Sequence, residues 1–159
     1  MELSKLIILV GISGSGKSTW INSLDLEALG IRVVSADGVR KELYDNISCQ
    51  AFPNVVWSIV YERVADYLVA GYNVILDATH VRAKDRVSVL TYLNEKGIEF
   101  EAYAKVFESI PELSKERIKA DLDSGVDRCI VSDKSIDKQF RQLTASIKSI
   151  EAEGFKLYA

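Results

Sequence analysis

The sequence predicts an α/β fold, a parallel sheet of four or five strands with helices on both faces. Three observations predict it. Short apolar runs of strand length alternate with segments whose apolar residues recur at helical spacing. A glycine-rich stretch sits between the first apolar run and the first helical segment. The composition, 48% apolar and 27% charged over 159 residues, is that of an ordinary globular chain. That length reads as one domain over 1–159 with a sizeable core.

The first strand is LIILV, residues 6–10, apolar throughout as a strand buried on both faces must be. GISGSGKS follows at residues 11–18 and fits G-x-x-x-x-G-K-[ST] at every fixed position. The chemistry needs that form. Gly11, Gly14 and Gly16 let the backbone turn tightly and, with Ser13, Ser15 and Thr19, aim polar groups at phosphate oxygens. Lys17 reaches the β- and γ-phosphates, and the Ser18 hydroxyl can ligate Mg²⁺. Trp20, Ile21 and Leu24 then recur at helical spacing. Strand, glycine loop and helix together are the opening of a P-loop NTPase-type sheet that binds ATP or another nucleoside triphosphate with Mg²⁺.

The second strand is expected over Ile31–Ala36, and a short helix from Asp37 to about Tyr44. Residues 45–54 read as a loop, with Asn46, Pro53 and Asn54 as punctuation. Val56, Val60, Val64, Tyr67 and Leu68 share one helical face that stops at Gly71. NVILD, residues 73–77, is the third strand. Val87, Leu90 and Leu93 mark the next helix, ended by Gly97. The fourth strand runs Phe100–Phe107, and Pro111 opens a helix in a suitable first-turn position. That helix fades near Gly125, and the region of about 111–131 is expected to form a helical lid. Ile136, Phe140, Leu143, Ile147 and Ile150 step by four and three along a last amphipathic helix. Phe155–Tyr158 is a possible fifth strand.

Composition excludes several classes. A net charge of −3 argues against a protein that coats nucleic acid nonspecifically, although a local basic cleft is compatible with it. No apolar run approaches the length of a membrane span, and Glu2 stands where a signal peptide has basic residues. Cys49 and Cys129 lie far apart with no C-x-x-C, and a single His leaves no zinc spacing. Reduced thiols in a cytoplasmic protein without an evident partner protein are the expectation.

Ligands of parallel α/β sheets bind beyond the carboxyl ends of the strands. The second strand ends in SADGVRKEL, which places Asp37 at its tip and Arg40 one helical turn on. The third ends in ILDATH, which brings Asp77, Thr79 and His80 to the same edge. A carboxylate beside a triphosphate cradle can orient an acceptor hydroxyl and take its proton, so Asp37 is the candidate base and helix cap at once. Arg40 can hold an anionic part of the acceptor. Asp77 resembles a carboxylate that acts through a metal-bound water or braces Arg40. His80 reads as a surface or substrate-side residue. Lys115, Arg117, Lys119 and Arg128 are basic residues of the lid region, interspersed with Glu112, Glu116, Asp121 and Asp123. Arg117 and Arg128 both fit an arginine that neutralises the triphosphate.

GSGKSTW, ADGVRKEL, VILDATH and KVFE, in this order from about Leu6 to Phe107, resemble the kinase domain of phage-type polynucleotide 5′-hydroxyl kinases. The wider group is that of small P-loop kinases. The resemblance implies transfer of a phosphoryl group from ATP to the 5′-hydroxyl of a nucleic acid, as in nucleic acid repair. It implies Asp37 as general base, Arg40 as contact to the acceptor phosphate, and Asp77 and Thr79 on the acceptor path. DATH departs from the DTN or DATN of the family pattern. Other readings stay open: a small-molecule kinase acting on a nucleoside, sugar or nucleotide-sugar, a modified-base DNA kinase, or a nucleotide-dependent binding module.

Overall fold

A computed structural model of the chain describes residues 2–44, 53–126 and 131–159. The expected strands form β1 (Lys5–Val10), β2 (Ile31–Ser35), β3 (Asn73–Asp77), β4 (Glu101–Val106) and β5 (Lys156–Leu157). All pair in parallel in the order β2-β3-β1-β4-β5, a P-loop NTPase-type sheet. The most apolar run, β1, takes the centre, where both neighbours and both faces exclude water. Ile7 lies opposite Ile75 of β3 and Tyr103 of β4.

Alternation along β1 divides the interior. Leu6, Ile8 and Val10 face the larger core. That core is completed by α3 (Pro53–Val69), α4 (Ala83–Glu95) and residues of α5 (Pro111–Asp123), α6 (Asp133–Ser146) and α7 (Ile150–Glu153). Ile7 and Leu9 face the smaller core, covered by Trp20 and Ile21 of α1 (Lys17–Asn22) with Leu24 and Leu26 beyond it. Helix α2 (Ala36–Tyr44) docks Val39 into the larger core.

Two elements differ from the sequence expectation. Helix α4 turns Arg86, Val89, Leu90 and Leu93 inward, and Val87 is left 40% exposed. Its inner stripe therefore includes a fully buried arginine. Arg86 donates to both carboxylate oxygens of Glu153, to the His80 carbonyl and to the hydroxyl and carbonyl of Ser146. The last helix is also interrupted, with a 3₁₀ turn at Ile147–Ser149 between α6 and α7. There the Ser146 carbonyl accepts from Arg86 and from the Ser149 hydroxyl, which compete with the regular helical ladder. The loop expected at 45–54, together with Cys49 and Cys129, falls largely outside the described residues, although Pro53 and Asn54 already belong to α3. Among the described residues no helix is long and apolar enough to cross a membrane.

Candidate active site

The carboxyl ends of β1, β2 and β3 open into a cavity of about 970 Å³. Residues 13–19 of the glycine loop and α1 line it, with Asp37, Lys41, Asp77, Thr79 and Arg117. Gly14 and Gly16 have φ of 76° and 99°, the left-handed region that the loop requires. At Gly14 a Cβ would also stand 3.0 Å from the Ser114 carbonyl oxygen, so α5 approaches the loop as closely as a bare backbone permits.

The loop is fixed from behind by residues remote in sequence. The Gly11 amide donates to the Thr79 carbonyl at 3.0 Å. The Ile12 and Ser13 amides donate to Ser109 Oγ and Gln139 Oε1 at 3.3 and 2.9 Å. Lys17 Nζ donates to the Gly11 and Ile12 carbonyls at 2.9 and 2.7 Å, so its ammonium is held at the mouth of the loop. Arg117 reaches over from α5, its Nη1 donating to the Gly14 carbonyl at 3.1 Å. Lys115 is instead paired with Asp137 of α6 at 2.9 Å and with Glu112, which ties α5 to α6. Arg128 lies outside the described residues.

Asp37 opens α2 from the tip of β2, with its side chain 53% exposed. Arg40 Nη1 donates to Asp37 Oδ1 at 2.9 Å. Only 6% of Arg40 is exposed and it is not part of the cavity wall. Arg40 thus braces Asp37 from the core side, because α2 directs position 40 inward beside Val39. Ser35 and Asp77 are paired in register at the neighbouring strand tips. Burial pushes the Asp77 carboxyl above its ordinary range; Lys17 opposes the shift and the Asp37 carboxylate adds to it. A cation would be welcome there. Mg²⁺ usually takes one or two protein ligands and completes its shell with phosphate and water. Ser18 and Asp77, both on the cavity wall, fit that requirement, and the glycine loop fits a polyphosphate.

His80 is not at the surface. It is 3% exposed, with φ of 48°, and packs edge-on to Trp57. Its Nδ1 lies 2.8 Å from the Leu9 carbonyl oxygen, which can only accept, so Nδ1 carries the proton. Burial disfavours the charged ring and lowers its pKa to about 4, against the Leu9 hydrogen bond, which raises it. The unfolded imidazole protonates near 6.5 and the folded one only near 4, so the unfolded chain binds more protons between these values. This contribution is full above pH 6.5 and is lost as pH falls to about 4, on the order of 3 kcal/mol. The chain has one His, so ring-proton NMR reads this directly. A titration near 6.5 in the folded protein would contradict the buried neutral ring.

Gln139, Ser109, Lys41 and Arg86 were not singled out from the sequence as parts of the site or its support. Gln139 had a legible signal, a polar residue three after Ile136 and four before Leu143 on an otherwise apolar stripe.

Residues 6–145 match the AAA domain family model. No curated protein matches the chain significantly. Among solved structures, a chain of the Pnkp1/Rnl/Hen1 RNA repair complex superposes with a TM-score of 0.80 at 23% identity, over 94% of this chain and 47% of that one. A second structure of the Pnkp1/Rnl/Hen1 complex gives 0.63 at 26%, over 83% and 41%. A gluconokinase from Sinorhizobium meliloti 1021 gives 0.54 at 16%, over 90% and 77%. The chain spans about half the length of the two repair-complex chains.

Proposed function

The chain belongs to the AAA domain family, and from that premise we propose that it is a P-loop kinase that transfers the γ-phosphoryl group of ATP, or another nucleoside triphosphate, to the 5′-hydroxyl of a polynucleotide. The observation that carries this reading is the half-exposed Asp37 carboxylate on the wall of the cavity formed by the glycine loop. A switch or motor needs no carboxylate aimed at an incoming hydroxyl; a transferase does. The likeness to chains of an RNA repair complex supports a polynucleotide acceptor.

In this reading residues 1–159 act as one kinase domain. The loop amides, Lys17 and Ser18 hold the donor phosphates. Ser18 and Asp77 would hold Mg²⁺, which would offset phosphate charge there. Asp37 accepts the proton of the 5′-hydroxyl as its oxygen bonds to the γ-phosphorus. The bond from that phosphorus to the β,γ-bridging oxygen breaks, and the nucleoside diphosphate leaves. Arg40 keeps the Asp37 carboxylate in place, and Thr79 lines the acceptor path. Arg117, already over the loop, neutralises charge on the transferred group.

The likeness to a gluconokinase over most of that chain's length favours a second reading, a small-molecule kinase. Transfer of label from γ-labelled ATP decides between them, with 5′-hydroxyl oligonucleotides, nucleosides, gluconate and other sugars as acceptors. Labelled oligonucleotide is the expected result. Label on a sugar alone selects the small-molecule kinase, and ATP binding without acceptor-stimulated turnover selects a binding module.

A further inference from the structure

The amides of Ile12 and Ser13, at the entrance of the glycine loop, both donate to side chains remote in sequence: Ile12 to Ser109 Oγ and Ser13 to Gln139 Oε1. Each of these amides shares a peptide unit with a carbonyl that holds Lys17. The Gly11 carbonyl and the Ile12 N–H belong to one planar group, and the Ile12 carbonyl and the Ser13 N–H to the next. In a planar trans peptide the N–H and the C=O point in opposite directions, so a bond that fixes one end aims the other. Ser109 thus aims the Gly11 carbonyl, and Gln139 aims the Ile12 carbonyl. Lys17 Nζ donates to both, at 2.9 and 2.7 Å. The shorter tether, 2.9 Å at Gln139 against 3.3 Å at Ser109, stands behind the shorter lysine bond. The Ile12 carbonyl also accepts the Ser15 amide at 3.2 Å, so the same peptide closes the turn of the loop. Gln139 has a firm seat on α6, where Asp137 pairs with Lys115 of α5 at 2.9 Å.

We propose that Gln139 is a positioning residue for the donor, acting through the Ile12–Ser13 peptide to hold the Lys17 ammonium where the β- and γ-phosphates will lie. Ser109 acts in the same way, more weakly, through the Gly11–Ile12 peptide. A lysine is a point charge on a flexible stem, so its direction has to come from the groups around it. A donor that enters the loop then meets an ammonium already in place. Without the tether the peptide can rotate, and part of the binding free energy goes into ordering it. The proposal rests on the donor half of the reading above and is independent of the acceptor.

The test is the affinity for ADP, by calorimetry, of the wild type, of Gln139→Met, Ser109→Ala and Lys17→Met, and of Lys17→Met combined with each of the other two. Methionine has the length of glutamine without the acceptor. Gln139→Met should weaken ADP about two- to ten-fold, the size of one net hydrogen bond, and Ser109→Ala should weaken it less. With Lys17 already replaced, Gln139→Met should weaken ADP little further, because its effect runs through the ammonium. A merely structural loss would weaken ADP equally in both backgrounds. Equal weakening overturns the proposal, and so does wild-type affinity in Gln139→Met. If thermal melting shows that Gln139→Met has lost its fold, Ser109→Ala carries the same comparison on the neighbouring peptide. The expected coupling without label on any acceptor supports this proposal and overturns the kinase reading. A wild type that binds no ADP overturns both.

Discussion

Asp37→Asn is expected to reduce kcat on the order of 10²–10⁴-fold, the usual range for a lost general base. Asn preserves the size of the side chain and can still accept the Arg40 hydrogen bond through its amide oxygen, so α2 stays where it is. What Asn lacks is the capacity to take the proton of the attacking hydroxyl. Donor affinity should change little, because the donor phosphates are held by the loop, Lys17 and Ser18. Trp20 lies on the cavity wall and its fluorescence offers a direct titration of donor binding. The variant also removes a first-turn charge of α2, a helix-terminus interaction of about 0.3–1 kcal/mol, and the counter-charge of the buried Arg40, so a lower Tm should accompany the loss of turnover. An Asp37→Asn protein that turns over normally but melts earlier would reduce this residue to a helix cap.

The second large effect is on stability. Arg86→Met should destabilise the fold by about 3–5 kcal/mol, measured by urea unfolding. The guanidinium is fully buried and pairs with Glu153 Oε1 at 2.7 Å and Oε2 at 2.9 Å. Methionine fills much of the volume but leaves the Glu153 carboxylate uncompensated and the carbonyls of His80 and Ser146 without this donor. In the wild type burial pushes the Glu153 carboxyl up, but hydrogen bonds from Arg86 and Ser149 and the charge of Arg86 outweigh it and hold it below its ordinary value. The pair therefore stabilises fully above the ordinary carboxyl value near 4.5, and that contribution is lost as pH falls through the lower folded value. The deficit of Arg86→Met should shrink over the same acidic range, because protonation removes the buried charge. Adding Glu153→Met should recover part of the loss at neutral pH. A single variant as stable as the wild type would show that packing alone holds α4 to the end of the chain.

Much of this molecule was legible in the sequence, for reasons that lie within a few residues. The runs Leu6–Val10 in β1 and Val74–Leu76 in β3 are apolar because both faces of a central strand are covered. The phosphate loop is legible because its left-handed turns at Gly14 and Gly16 need glycine at fixed spacing. Asp37 and Asp77 were placed at the site because the end of a parallel strand is also the edge where ligands bind.

Tertiary structure decided what those residues face. Spacing put Arg40 one turn from Asp37, but only docking of Val39 into the core fixed which side of α2 is buried, sending Arg40 inward and leaving Lys41 on the cavity wall. His80 reads from the sequence as a surface or substrate-side residue, and only the fold brings it the Leu9 carbonyl, from a strand 71 residues earlier, as its buried partner. Arg86 is buried because Glu153 meets it across 67 residues, and Gln139 reaches the Ser13 amide across 126. Local pattern determines strands, turns and helical stripes, because these depend on backbone geometry between near neighbours. Whether a polar side chain can leave water depends on a partner that the chain brings to it only on folding, and short-range periodicity carries no signal of that partner.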